Sequence, residues 1–514
     1  MRGPLVVVGD VLLDRDLSGR ADRLSPDAPV PVVSALTEAE RPGGAGLAAL
    51  LAARDAGEVV LVTALGDDPA GERVAALLAA AGVTVIAGRL PGRTPVKERI
   101  RVAGQSLLRL DREEAAPGPP VVTAAMRAAV HGAGALLVSD YGRGLSADAR
   151  LRSALAAATA SVPVVWDPHP RGAEPVPGVR VATPNLAEAL RFTGLSADGG
   201  TVAAAARAAR LLARRWRAAG VAVTLGPRGA LLAGPDDVPL AVPVSQAAGG
   251  DPCGAGDRFA ATVTVRLAAG ALPSEAVTAG VAAASAYVAA GGPASLAPVL
   301  SAPSGSPSAA PGGSVASAAG SALSMVDPGL AVPDRPGPVG VGRSGTAAVS
   351  RPAAEVVRRT RAAGGVVVAT GGCFDLLHAG HVATLEAARR LGDCLVVCLN
   401  SDESVRRLKG AGRPLVPARD RVRVLEALGA VDAVTVFAED TPLAVLDAIR
   451  PDVWVKGGDY AAPALPETEL LAGWDGQVVV VPYLAGRSTT RLVETAGGEL
   501  SGNDEMTTAG RQDG

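Results

Sequence analysis

Lysine and asparagine are almost missing from this 514-residue chain. Lysine occurs only at Lys97, Lys409 and Lys456, and asparagine only at Asn185, Asn400 and Asn503. Arginine has taken over most cationic positions. A drift this strong removes a residue wherever a substitute serves, so the survivors are enriched where chemistry resists exchange. A compact, flexible ammonium that must reach a phosphate is one such case. Asn503, in a polar terminal run, marks the limit of that reasoning. Aromatics are scarce as well, and Ala, Gly, Val, Arg and Pro dominate.

Other absences narrow the function class. Four cysteines in a chain of this length exclude a disulfide framework. Cys394 and Cys398 share one face of an expected strand and read as buried thiols, not as a metal site. No run of 18 or more apolar residues occurs, nor a charged-then-apolar leader. A soluble, cytoplasmic protein with no membrane partner is expected. A net charge of −2 and the lack of a long basic run argue against nucleic acid as the main partner.

The length calls for two to four domains. Residues 296–350 are rich in Ser, Pro, Gly and Ala, lack apolar periodicity, and are expected to form a flexible linker. Residues 497–514 read as a disordered tail. Domains are therefore expected over 1–295 and 351–496. The first alternates strands (Leu5–Val8, Val59–Thr63, Ala135–Ser139, Pro163–Asp167, Val179–Ala182, Val221–Leu225) with Ala-rich helices near 43–56, 70–81, 148–159 and 201–219. That is an α/β pattern with a mostly parallel sheet. The runs Val30–Ser34, Val96–Arg101 and Ser106–Asp111 suggest a small hairpin-type lid. The second domain is a shorter alternation of the same kind.

Two of the four histidines lie in Gly371-Gly-Cys-Phe-Asp-Leu-Leu-His-Ala-Gly-His381. An apolar strand, 366–369, precedes this stretch. A helix over 382–391 follows it, with Leu385, Ala388 and Leu391 on one face. His378 and His381 thus sit at a strand-to-helix turn, where backbone N–H groups and imidazoles converge on phosphate. The stretch resembles the signature of cytidylyltransferase-like nucleotidyltransferases, with a Rossmann-like fold. The resemblance implies that His378 and His381 hold a triphosphate during attack on its α-phosphorus.

In the first domain, Gly249-Gly-Asp-Pro-Cys-Gly-Ala-Gly-Asp257 opens an Ala-rich helix. Free N–H groups at Gly254, Ala255 and Gly256 would form an anion site, and Asp257 could accept a proton from an attacking hydroxyl. With Thr183-Pro-Asn-Leu-Ala-Glu188 upstream, the domain resembles ribokinase-like sugar kinases, an α/β/α sandwich with a β lid. That resemblance implies Asp257 as base and Asn185 and Glu188 as organisers of Mg2+ and ATP phosphates through water. No direct protein ligation of the metal is expected. It also places Thr224 and Gly226 near the nucleotide.

The opening Gly9-Asp-Val-Leu-Leu-Asp14, with Lys97-Glu-Arg and Gln105-Ser-Leu-Leu-Arg-Leu-Asp111, resembles heptose 7-phosphate kinases. Asp10 and Asp14 suit sugar hydroxyls, and Lys97, Arg99 and Arg109 suit a distal phosphate. Asp140 is a further strand-end carboxylate, and Gly43 and Gly44 lie in the run that borders the sugar. Four features depart from the kinase pattern: Leu47 for a sugar-contacting Asn, Arg258 for a small residue, and Pro252 and Cys253 for a hydroxyl-bearing pair.

The second domain is similar to the adenylyltransferase half of bifunctional heptose 7-phosphate kinase and heptose 1-phosphate adenylyltransferase enzymes. Cys373, Phe374, Asp375, Lys409, Arg413, Lys456, Gly457, Gly458, Asp459, Ser488, Thr489 and Thr490 fall in its nucleotide-binding motifs. Gly371 stands where that family usually has Asn. Both halves occur in the family's order. The resemblance implies ATP-dependent formation of heptose 1,7-bisphosphate, then adenylyl transfer to heptose 1-phosphate. ATP and Mg2+ are the expected cofactors, a separate phosphatase acts between the steps, and a homodimer can form through the lid. Two alternatives stay open: another sugar kinase fused to a cytidylyltransferase, and a decayed kinase half with a binding or regulatory role.

Overall fold

The computed structural model describes residues 3–102, 105–112, 118–197, 200–245, 249–296, 349–458 and 465–482. Nearly all of the expected linker and the whole expected tail lie outside these residues.

The first half contributes strands β1 (Leu5–Gly9), β2 (Val11–Leu24), β3 (Pro31–Gly44), β4 (Val59–Leu65), β5 (Val83–Arg89), β6 (Val96–Val102), β7 (Gln105–Arg112), β8 (Ala135–Ser139), β9 (Val164–Asp167), β10 (Val181–Ala182), β11 (Val221–Thr224), β12 (Ala230–Ala233) and β13 (Leu240–Val242). The second adds β14 (Val367–Gly372), β15 (Cys394–Asn400), β16 (Ala433–Phe437), β17 (Val453–Gly457) and β18 (Gln477–Val481).

Strands β5-β4-β1-β8-β9-β10-β11 run parallel, with β12 and β13 added antiparallel. The second half is a parallel β16-β15-β14-β17-β18 sheet. Both faces of such sheets must be covered, so the strands read as near-continuous Val and Leu runs. One apolar layer gathers Leu50, Leu61 and Phe259, and the other gathers Trp166, Leu212 and Trp216. Leu385, Ala388 and Leu391 are all buried, as the helical spacing predicts.

Two features differ from the sequence-based expectation. The lid is a four-stranded sheet, β3-β2-β6-β7, and its two longest strands, β2 and β3, run 14 residues each. The charges of Asp14-Arg-Asp16 mask β2 in the sequence. The fold neutralises them by pairing: Arg41 donates to Asp16 at 2.5 Å, and Arg15 donates to Glu98 at 3.0 Å. The second difference joins the halves. Strand β13 pairs in parallel with β18, with Leu240 opposite Val480, so one 14-stranded sheet spans both. The Val480 N–H donates to the Pro239 carbonyl at 2.8 Å, and Arg210 donates to Gln477 beside it at 3.0 Å.

Candidate active sites

In the first half, the helix Ala255–Ala268 starts from Gly254, whose φ of +80° is in the left-handed region. A Cβ there would also lie 2.8 Å from Leu47 Cδ2, so glycine is required twice over. Asp257 falls in the first turn, buried, where the helix dipole favours negative charge. The Ala255 N–H is donated back to the Pro252 carbonyl at 3.0 Å. Gly256 instead borders open space. It lines a cavity of about 450 Å3 together with Asn185, Thr224, Gly226, Phe259 and Val288. Its lining is mostly apolar, with the Thr224 and Ser285 hydroxyls and the Asn185 amide among it.

Burial pushes the Asp257 carboxyl up to about 7, against a hydrogen bond from Tyr141 that favours the ionised form. The Tyr141 hydroxyl donates to both Asp257 oxygens, at 3.0 and 3.2 Å. Asp167 ends β9 nearby and accepts from Thr183 Oγ1 at 2.9 Å. Burial, then the charges of Asp257 and Glu188, lift it well above the carboxylate range. Asn185 and Glu188 form a reciprocal cap on the helix Leu186–Thr193, with bonds of 3.0 and 2.9 Å. A bridge between Asn185 and Thr224 brings Thr224 alongside.

At the sugar end, Asp10 accepts the N–H groups of Tyr141, Arg143 and Leu145. Asp140 accepts the Gly142 N–H at 2.7 Å and the Ser146 hydroxyl at 2.5 Å. These two carboxylates hold the loop over 141–146. Arg99 binds Asp14 at 2.6 Å, and Lys97 stands opposite Asp14 in the β2–β6 register. Gly43 has no room for a side chain beside Asp14, and Gly44 lies against the Asp10 carbonyl with φ +61°. Arg109 is half exposed on β7, opposite Arg99 in the β6–β7 register, and pairs with Asp111 at 2.6 Å. Arg258 turns away from the cavity to Asp55 at 2.7 Å and to the Leu51 carbonyl at 3.1 Å.

In the second half, His378 is the N-cap of the helix Ala379–Arg389, and its Nδ1 accepts the Gly380 N–H at 3.1 Å. Its ring stacks on His381, centroids 4.0 Å apart. Burial, then the charges of His378 and Lys409, lower His381 to about 4, so that ring is neutral at physiological pH. His381 Nδ1 is buried without a hydrogen-bond partner among the described residues. Phe374, at φ +42°, packs its ring 5.3 Å from His381.

Asp375 holds the loop over 413–416. It pairs with Arg413 and accepts the N–H groups of Leu415 at 2.7 Å and Val416 at 2.9 Å. Burial opposes its ionisation, but these donors keep its carboxyl below the usual range. Lys456 pairs with the buried Glu467 at 2.8 Å. Gly457 ends β17 and Gly458 follows it. Lys409 ends the helix Asp402–Lys409. Asp459, Ser488, Thr489 and Thr490 lie outside the described residues.

Three participants escape sequence reasoning. Tyr141 follows Asp140 but looks like any aromatic. Asp167 carries the same strand-end signal as Asp140. Arg421 is buried and donates to the carbonyls of Cys373 at 2.6 Å, Asn400 at 2.9 Å and Val416 at 2.9 Å and to Asp402 at 2.7 Å. It fastens three loops around the second site, including the backbone of Cys373. Among the described residues, no group of three or more His, Cys, Asp or Glu is arranged to hold a metal ion.

Residues 4–300 match the pfkB family carbohydrate kinase model, and residues 369–492 match the cytidylyltransferase-like model. The bifunctional protein HldE of Streptomyces coelicolor is 53% identical over 96% of this chain and 97% of its own length. Those of Halorhodospira halophila and Alkalilimnicola ehrlichii are 40% and 38% identical, each over 95% of this chain and 96% of their own length.

Proposed function

Because the chain belongs to the bifunctional HldE family, we propose that Asp257 and the His378–His381 pair are the catalytic centres of its two ATP-dependent reactions. The protein is a carbohydrate kinase joined to a nucleotidyltransferase. It phosphorylates heptose 7-phosphate and adenylylates heptose 1-phosphate.

In the kinase half, Asp257 accepts the proton of the anomeric hydroxyl as that oxygen attacks the γ-phosphorus of ATP and ADP leaves. The N–H groups around Gly256 receive the developing charge. Arg99, Lys97 and Asp14 hold the distal phosphate and sugar hydroxyls, and Arg109 contributes from the rim. Burial raises the carboxyls of Asp167 and Glu188, and the charges of Asp257 and Glu188 add to this at Asp167, so a nearby cation would favour their ionised forms. Asn185, Glu188 and Asp167 would hold a Mg2+ ion arriving with ATP. Such an ion would offset phosphate charge.

In the transferase half, a heptose 1-phosphate oxygen attacks the α-phosphorus of ATP and pyrophosphate leaves. Neutral His381, His378 and Lys409 bind the triphosphate and spread its charge. Asp375, Arg413 and Arg421 shape the loops that enclose it, and Lys456 with Glu467 borders it. The kinase product still bears its 7-phosphate, so a separate phosphatase acts between the steps. The exposed Leu108 and Leu110 of the lid are the surface on which a second copy would dock. No helix among the described residues is long and apolar enough to cross a membrane. The use of ATP and phosphorylated sugars supports a cytoplasmic site of action.

The observation that carries this reading is Asp257, set in the first turn of a glycine-opened helix beside a nucleotide-sized cavity. The test is turnover of heptose 7-phosphate and ATP by the full chain and by Asp257→Asn, followed by heptose 1-phosphate with ATP or CTP. Loss of phosphorylation in the variant and preference for ATP support the reading. Preference for CTP overturns the adenylyl assignment.

A further inference from the structure

We propose that Tyr141 is a positioning residue for the kinase base: its hydroxyl fixes the Asp257 carboxylate and ties the state of that base to the sugar end of the site. The inference rests on the kinase reading above.

The Tyr141 hydroxyl lies 3.0 and 3.2 Å from the two Asp257 oxygens, so one proton is shared across the whole carboxylate. Such a bond favours the ionised acid and sets the plane of the carboxylate. Asp257 needs both effects, because burial alone drives it towards the neutral form, which cannot accept a proton. The phenol itself stays protonated. Burial and the neighbouring carboxylates of Asp257, Asp167 and Asp14 hold it well above its ordinary range.

The position of Tyr141 is itself prescribed. Its backbone N–H donates to Asp10 at 3.4 Å, and Asp10 also takes the N–H groups of Arg143 and Leu145, at 3.0 and 3.4 Å. Gly44 lets the chain approach Asp10: a Cβ built there would lie 2.5 Å from the Asp10 carbonyl oxygen, and in ordinary contact, at 3.5 Å, with Tyr141 Cδ2. Asp10, the loop, Tyr141 and Asp257 thus form one connected series from the sugar end to the base.

Other groups also act on Asp257. Asp14 of β2 raises its pKa and Lys97 of β6 lowers it. Asp167 at the end of β9 and Tyr287 of the helix Pro273–Ala289 also feel its charge. Tyr141 donates a hydrogen bond to both oxygens of the carboxylate. Its removal therefore has a signature that simple loss of packing lacks.

The experiment compares the pH dependence of phosphorylation by the full-length wild type, Tyr141→Phe and Asp257→Asn. Thermal melts and the adenylyl-transfer rate of each protein serve as folding controls. Tyr141→Phe is expected to lower kcat by about 10- to 100-fold with the KM for ATP nearly unchanged. Its acidic limb should move to higher pH by about one unit, since a donor that favours the anion is gone. If Tyr141→Phe does not fold, 3-fluorotyrosine at 141 keeps the shape and strengthens the donor, and the limb should then move to lower pH. An unmoved limb in the folded variant, with kcat near wild type, overturns the inference. A wild type that phosphorylates no sugar overturns the kinase reading instead.

Discussion

The indole of Trp454 occupies the space into which a side chain at Gly371 would grow. A Cβ built on Gly371 lies 2.6 Å from Trp454 Cη2 and 3.2 Å from the Cys398 carbonyl oxygen. Trp454, on the neighbouring β17, is buried. The glycine at this strand end is therefore matched to a large partner. Gly371→Asn should overpack the site at a cost of about 1–3 kcal/mol and lower adenylyl transfer. Adding Trp454→Leu should restore part of both. Melting temperatures and kcat/KM for ATP of the single and double variants measure this, and a fully active Gly371→Asn single variant would count against it.

Arg258 follows the kinase base yet serves the scaffold, reaching Asp55 and the Leu51 carbonyl. Arg258→Ala should leave kcat for phosphorylation within about twofold and cost about 1 kcal/mol of stability, as expected for a partly exposed pair. Denaturant titration and initial rates separate the two effects. A variant that gains activity would show that this arginine obstructs the site, as a decayed kinase half requires.

The two reactions should differ in pH dependence. Asp257 titrates at about 7 and works only when ionised, so phosphorylation should rise as pH increases from 6 to 8. His381 titrates at about 4 and stays neutral over that range. Its protonation should not shape the adenylyl-transfer profile there. Rate profiles of both reactions on one preparation test this, and a kinase rate that falls with pH would contradict the role of Asp257.

The β13–β18 seam should couple the stability of the halves. Val480→Pro removes the N–H that reaches the Pro239 carbonyl and places proline inside a sheet, where it breaks a ladder hydrogen bond. Calorimetry should show melting that is more concerted in the wild type than in the variant. Identical thermograms would mean that the pairing does not couple the halves.

Much of the parallel sheet is legible in the sequence because buried strands are continuous apolar runs. Ala135–Ser139 and Val59–Leu65 stand out for that reason, and the helix Pro69–Ala80 stands out as an Ala-rich segment between strands. Strand β2 is hidden because its charges are neutralised only by residues on β3 and β6. The seam is hidden because nothing local to β13 or β18 names its partner. His378, His381 and Asp257 are legible because their motifs fix a strand or turn, a glycine and a helix start together. Tyr141, Asp167 and Arg421 are not, because their roles depend on atoms distant in the chain.

The central claim is that one chain carries both reactions but not the step between them. Mass spectrometry of the products from full-length protein, heptose 7-phosphate and ATP, with and without an added sugar bisphosphate phosphatase, tests it most directly. The account predicts heptose bisphosphate alone without the phosphatase, and ADP-heptose only with it. ADP-heptose without the phosphatase, or no phosphorylated product in either reaction, would contradict it.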